Sequence, residues 1–419
     1  MVLRTVRLPR PQKSLTANAM ALMIATIAAN ALGLVFWAVA AHLRPPSIVG
    51  QASACVAALT LLAVIAQLNL TNVIVRLLPA AGSLGNGLVR RSYLAVLLFS
   101  VVVGAVYCAS GLGRHVVPPG FAHAVEFTLA VPVLAVFALE DSVLTALRLT
   151  PWVAVENITA AVARVALLPL LFLSAMGAVA AWVLPAFAAA IAVNSFLFRR
   201  ALPVHGKVPG TLPGRRRLLS FVAAEYAGTI CATATVQVIP LLVVSRLGTA
   251  AAAYLTLPWL IAPGITLVMW NVAASFVVEF AGSRGHPGHL LRRSLLLWAG
   301  IAAGAMIVCV AGARPLLEIV GGRYAAHGVT LLRLIGLSSP FTAVVVLYST
   351  LAWLDQRVWL LAALQACAGA LLLALVLLLL PHLGITGVGW AYLVTQAATA
   401  AMVTPFAIKR IGRAEFRRT

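Results

Sequence analysis

LEDSVLTALRLTPWVAVENITAAVARVALLPLL, residues 139–171, decides how the whole chain is read. It has the pattern of one membrane helix ending, a tight turn at Thr150-Pro151, and the next helix beginning. Glu140, Asp141, Arg148, Glu156 and Arg164 all fall within it, while the apolar chain on either side holds almost no charge. Ionisable groups inside lipid are expensive, so they usually face a bundle interior or a wet cavity and mark a pathway. The stretch therefore points to transport.

Outward from this hairpin the chain is apolar throughout. Of 419 residues, 63% are hydrophobic and 9% charged, against about 25% charged in a soluble domain. The apolar segments are long enough to cross a ~30 Å hydrocarbon core as helix, and they lack the alternation of a membrane β-barrel. Twelve spans are expected, near 15–42, 49–78, 92–112, 123–149, 152–175, 178–198, 218–244, 250–280, 290–313, 329–354, 359–380 and 385–408. The basic start MVLRTVRLPRPQK precedes a stretch long enough to be a true span, so no cleaved signal peptide is expected.

The net charge of +21 is distributed by side. Threading the twelve spans puts 23 Lys and Arg on the side of both termini and 5 on the other, with Arg164 and Arg333 inside spans. Cytoplasmic loops carry the basic excess. The expectation is thus a multi-pass protein of the cytoplasmic membrane with both termini cytoplasmic, its basic face binding anionic lipids and no nucleic acid. All five cysteines fall in apolar spans without metal-ligand spacing, which argues against structural zinc. No cofactor is expected. An enzyme is disfavoured because the longest loop, 199–217, carries no carboxylate.

That loop, RRALPVHGKVPGTLPGRRR, divides the chain into residues 1–200, a basic linker 201–217, and residues 218–419. Six spans per half give both halves the same orientation, as in parallel-repeat transporters. The fold class expected is an all-α membrane protein with two six-helix lobes around a central cavity.

Several stretches resemble the polysaccharide (O-antigen-type) flippases of the multidrug/oligosaccharidyl-lipid/polysaccharide exporter superfamily. They are FWAVAAHLRPPSIVGQASA at 36–54, LNLTNVIVRLLP at 68–79, EDSVLTALRLTPWVAVEN at 140–157, NVAASFVVEFAG at 271–282 and LLEIVGGRYAAHGVTLLRLIGLSSP at 316–340. The resemblance implies alternating access and a lipid-linked glycan cargo of the polyprenyl pyrophosphate type, moved from the cytoplasmic to the outer leaflet. The alternative within the superfamily is a multidrug or other small-molecule exporter.

The residues themselves suggest roles. Arg164, near mid-bilayer, offers a guanidinium matched to phosphate, or else a structural ion pair within the first lobe. Asn157 lies two turns earlier on the same face, and Asn30 is a polar group in the first span; both are candidate cargo contacts. Asp141 and Glu156 sit at similar depth on adjacent antiparallel helices, and Glu225 has a comparable depth in the second half. These three read as sites for a coupling proton or sodium ion, or as partners for Arg148, Arg164 or Arg76. Glu140, next to Asp141, points about 100° away from it. Arg76 and Glu279 occupy matching helix ends and read as a gate, with Arg76 also a candidate phosphate contact.

Overall fold

The protein is described by a computed structural model over residues 11–206, 210, 215–282, 287–354 and 358–416, with side chains over 26–206, 210, 226, 228–277, 292–354 and 359–409. Fifteen helices are present among these residues. In the first half they are α1 (Pro11–Leu43), α2 (Pro46–Ala66), α3 (Leu70–Ala81), α4 (Gly85–Ala109), α5 (Phe121–Ala146), α6 (Thr150–Leu171), α7 (Ala175–Phe196) and the short α8 (Leu202–His205). In the second half they are α9 (Arg215–Leu247), α10 (Thr249–Gly282), α11 (Pro287–Ala311), α12 (Ala313–Val320), α13 (Gly322–Leu354), α14 (Val358–Leu383) and α15 (Ile385–Phe416). Twelve of these segments are long and apolar enough to cross a membrane. They form two six-helix lobes, and an even number of crossings puts both chain ends on one face. That face is called the terminal face below, and the opposite one the far face.

Local sequence explains most boundaries. Prolines stand in the first turn of α2 and α6, where a missing N–H costs nothing. The expected turn at Thr150-Pro151 is shifted slightly: α5 stops at Ala146, Arg148 takes φ +60°, and Thr150 already begins α6. The second span departs from the reading 49–78. Its helix ends at Ala66, Leu68 and Asn69 take φ +51° and +58°, and α3 starts as a separate amphipathic helix. Two consecutive left-handed residues cannot continue a right-handed helix. Arg76 consequently lies on the exposed side of α3, near the start of the third apolar span, 70–109, and not at the end of the second. The linker 201–217 falls partly outside the described residues.

In lipid, helices associate through close packing rather than a hydrophobic driving force, and small residues permit the closest approach. That is the chemistry of the seam between the lobes. The stretch GQASACVAA (50–58) of α2 lies against TAAAAYLT (249–256) of α10. A Cβ on Gly50 would collide with the Thr249 carbonyl. The Thr256 hydroxyl donates to Ser53 Oγ across the seam at 2.8 Å. Around this contact, buried residues of both lobes mix: Phe36, Trp37 and Val49 with Ala253, Leu257 and Tyr324. These positions all lie toward the far face. Toward the terminal face the buried clusters among the described residues are each built from one lobe. There the Tyr226 hydroxyl reaches across to the Ile65 carbonyl. The lobes are thus sealed against each other on the far side.

Candidate functional site

Four helices of the first lobe each bring one polar side chain to the same depth. Tyr93 comes from α4, Glu140 from α5, Glu156 from α6 and Asn194 from α7. Glu140 lies six residues before the end of α5 and Glu156 six residues into α6, about 9 Å from the helix ends at 1.5 Å per residue. Glu140 is 0% exposed and Glu156 6%. The two carboxyl groups are close neighbours. Asn194 Nδ2 donates to Glu140 Oε2, and the Tyr93 hydroxyl lies beside Asn194.

The hydrogen-bond ledger singles out this cluster. Among the described residues, nine buried side-chain polar atoms lack a partner. Five belong here: Tyr93 Oη, Glu140 Oε1, Glu156 Oε1 and Oε2, and Asn194 Oδ1. Buried polar groups are normally satisfied, so a concentration of orphans asks for an explanation. Two facing carboxyl groups have no donor between them. A shared proton supplies one, and a small hard cation satisfies several of the oxygens together. No three His, Cys, Asp or Glu side chains converge among the described residues, so a cation here would also use the phenol and amide oxygens.

Asp141 and Glu156, read from the sequence as lying at similar depth on adjacent helices, take different partners. Asp141 turns to Asn157, whose Nδ2 donates to Oδ1 and Oδ2 at 3.2 and 3.1 Å. Glu156 instead faces Glu140, which the sequence places as the neighbour on the wrong face. Arg148 is exposed in the turn, and Arg164 engages other groups. Asn157 is committed to Asp141, and Asn30 donates to the Thr26 carbonyl one turn back at 2.8 Å. The side chains of Glu225 and Glu279 lie outside the described residues, and with them the proposed gate.

Arg164 sits fourteen residues after the start of α6 and seven before its end. Its Nε donates to the Trp182 carbonyl at 3.0 Å. Its guanidinium carbon lies 4.5 Å from the Trp182 ring centroid and 5.9 Å from that of Phe137. Trp182 in turn stacks on Trp37 at 6.1 Å and meets Phe36 edge-on at 5.0 Å. The alternative reading of Arg164, an ion pair within the first lobe, has no counterpart among the described residues. Aromatic faces and one carbonyl hold this cation instead, a geometry worth about 2 kcal/mol or more when desolvated. Its remaining N–H groups have no partner among the described residues.

No protein-family model matches the chain, and no curated protein does either. Solved structures do. An inward-facing multidrug resistance MATE family transporter of the MOP superfamily is 12% identical, with TM-score 0.68 over 95% of this chain and 96% of that one. An outward-facing MATE family transporter of the same superfamily is 14% identical, with TM-score 0.64 over 97% of each chain. The MATE multidrug transporter DinF-BH is 16% identical, with TM-score 0.63 over 95% of this chain and 96% of that one. At such identities the likeness establishes the fold, which is that of these two-lobed transporters.

Proposed function

We propose that this chain is an ion-coupled secondary exporter of the cytoplasmic membrane, its termini cytoplasmic. Its two lobes would expose a cargo route on one face and then the other. The proposal rests on the five orphaned oxygens between Tyr93, Glu140, Glu156 and Asn194. Buried carboxyls without a cation are costly to keep, and binding and releasing a proton or sodium ion gives that cost a use. The far-side seam supplies the second ingredient, a closure that must open for cargo to leave.

Two cargo classes follow from different observations. The solved neighbours are multidrug transporters by name, which favours a small amphipathic molecule. The uncommitted N–H groups of Arg164 favour a phosphate-bearing one, such as a lipid-linked glycan. The test is export by purified protein in proteoliposomes under an imposed proton or sodium gradient, with a fluorescent drug and a lipid-linked sugar as alternative cargoes. Gradient-driven movement of either that disappears in the Glu140→Gln, Glu156→Gln double variant supports the coupling site. Equal movement by the double variant would refute it.

A further inference from the structure

Four arginines gather at the terminal end of the first lobe. Arg90 and Arg91 are exposed in the opening turns of α4. Arg199 and Arg200 are exposed in a single wide π turn, Leu197–Ala201, that closes α7. Such turns recur at functional sites. Two contacts hold the cations together. The Phe198 ring meets Tyr93 edge-on at 5.8 Å, tying the π turn to α4 one turn beyond Arg90. His205 of α8 then sits beside Gly85 and its Nε2 donates to the Leu78 carbonyl at 2.8 Å. Among the described residues none of the four arginines pairs with a carboxylate.

A groove of about 940 Å³ between α4, α5 and α7 opens next to this patch. It runs along α7 from Ser174 to Asn194, about 30 Å at 1.5 Å per residue, which is the thickness of the hydrocarbon core. Asn194 lies five residues before Arg199, and Leu97 of the opposite wall seven after Arg90. The groove therefore begins about 8–10 Å beneath the cations. Its walls are apolar and face outward: Leu97, Leu129, Leu184, Phe187 and Ile191 are between 41% and 57% exposed. The two ends differ in charge. The far end carries Glu126, the exposed carboxylate of the first lobe among the described residues. An anionic headgroup is repelled there and attracted at the terminal end.

We propose that this groove holds one resident anionic phospholipid of the terminal-face leaflet. Its phosphate lies among Arg90, Arg91, Arg199 and Arg200, and an acyl chain lies along Leu97, Phe187 and Ile191. Guanidinium groups grip phosphate oxygens in pairs, and basic pockets between membrane helices select anionic headgroups. A phosphate alone would leave the apolar wall unfilled, and a zwitterionic lipid would bring its own cation to the arginines. The lipid is a bound component and not cargo, since the helices that form the groove are not the α2 and α10 of the seam. The proposal goes beyond the export reading and does not depend on it, because binding needs no ion gradient. An occupied site steadies the π turn, and through Phe198 the Tyr93 side of the carboxyl cluster.

The experiment strips full-length protein of lipid in a non-ionic detergent and counts bound molecules by native mass spectrometry. The probes are dioleoyl phosphatidylglycerol, the phosphatidylcholine of the same chains, and glycerol phosphate. One phosphatidylglycerol should bind at least tenfold more tightly than phosphatidylcholine and should not be displaced by glycerol phosphate. Arg90→Gln with Arg199→Gln should weaken it at least tenfold, at about fivefold for each cation removed. Removing the same charge from the terminal face of the other lobe, by Arg292→Gln with Arg293→Gln, should change it less than twofold. Ile191→Trp keeps every arginine but fills the groove, and should weaken binding at least fivefold. Equal affinity for the two lipids would overturn the proposal. So would equal loss in both double variants, which would mean attraction by the basic face as a whole. Displacement by glycerol phosphate, or full binding by Ile191→Trp, would mean a headgroup site without the groove and would overturn it too. The comparison of the two lipids on unmodified protein decides even if a variant fails to fold.

Discussion

Gly50→Ala should prevent the far face from closing. A Cβ at residue 50 would stand 1.7 Å from the Thr249 carbonyl oxygen and 2.7 Å from the Ala253 amide nitrogen. Ordinary contact begins at 3.4 Å, so α2 and α10 would have to part by about 1.7 Å. The obstructing atoms are backbone and cannot rotate aside. Overpacking of this kind costs about 1–3 kcal/mol. Because the clash exists only when the seam is shut, the cost falls on that state alone, and the closed population drops about five- to 150-fold at 1.4 kcal/mol per tenfold. Helix formation itself gains, since Ala is favoured over Gly in a helix interior. Ser53→Cys with Thr256→Cys, whose hydroxyls are 2.8 Å apart, reports the seam by disulfide formation in membranes, with the native cysteines replaced. The cross-link should form readily with glycine at 50 and at least five times more slowly with alanine. Equal rates would show that the lobes do not close through this contact.

Three smaller perturbations test other parts of the molecule. Ser53→Ala removes the hydroxyl bond across the seam and should cost the closed state about 1 kcal/mol, read as a roughly fivefold rise in impermeant maleimide labelling of a cysteine placed at Leu257. Glu140→Gln and Glu156→Gln should each abolish gradient-driven transport without lowering the melting temperature, because losing a buried unpaired carboxylate relieves a cost; a large loss of melting temperature would mark the cluster as a structural strut. Arg164→Met should leave folding intact within about 2 kcal/mol, measured by thermal denaturation, while reducing movement of a lipid-linked sugar phosphate at least tenfold. Unimpaired movement in that variant would remove Arg164 as a phosphate contact.

The membrane spans and their order were legible in sequence because apolar length and basic loops are strong, additive signals. The break between α2 and α3 was not. LNLTN (68–72) reads as an ordinary polar step in an apolar run, and only Asn69 hints at a left-handed turn. The choice between Glu140 and Asp141 was hidden for a different reason. α5 is apolar on all sides, so its rotation about its own axis is set by packing against α4 and α7, which sequence periodicity does not register. Asn194 and Tyr93 carried no visible signal, each being an uncharged polar residue with polar neighbours in its helix, Ser195 for the one and Arg90, Arg91 and Ser92 for the other. What could have found them is their shared depth, one candidate per helix, near the terminal face. Arg164 was recognisable as exceptional, but its aromatic clasp depends on Trp182 of α7, whose contact with it follows from helix packing that sequence does not register.

The most direct test of ion coupling is a distance distribution between spin labels on the two lobes, placed at the exposed far-face positions Leu173 and Ile319 and recorded by double electron–electron resonance in nanodiscs. Moving from alkaline to acidic buffer, or adding sodium, should lengthen the distance in the unmodified protein as the far side opens. The Glu140→Gln, Glu156→Gln variant should give one distribution under every condition. A distance that does not respond in the unmodified protein, or that responds identically in the variant, would mean the buried carboxyls do not drive the lobes.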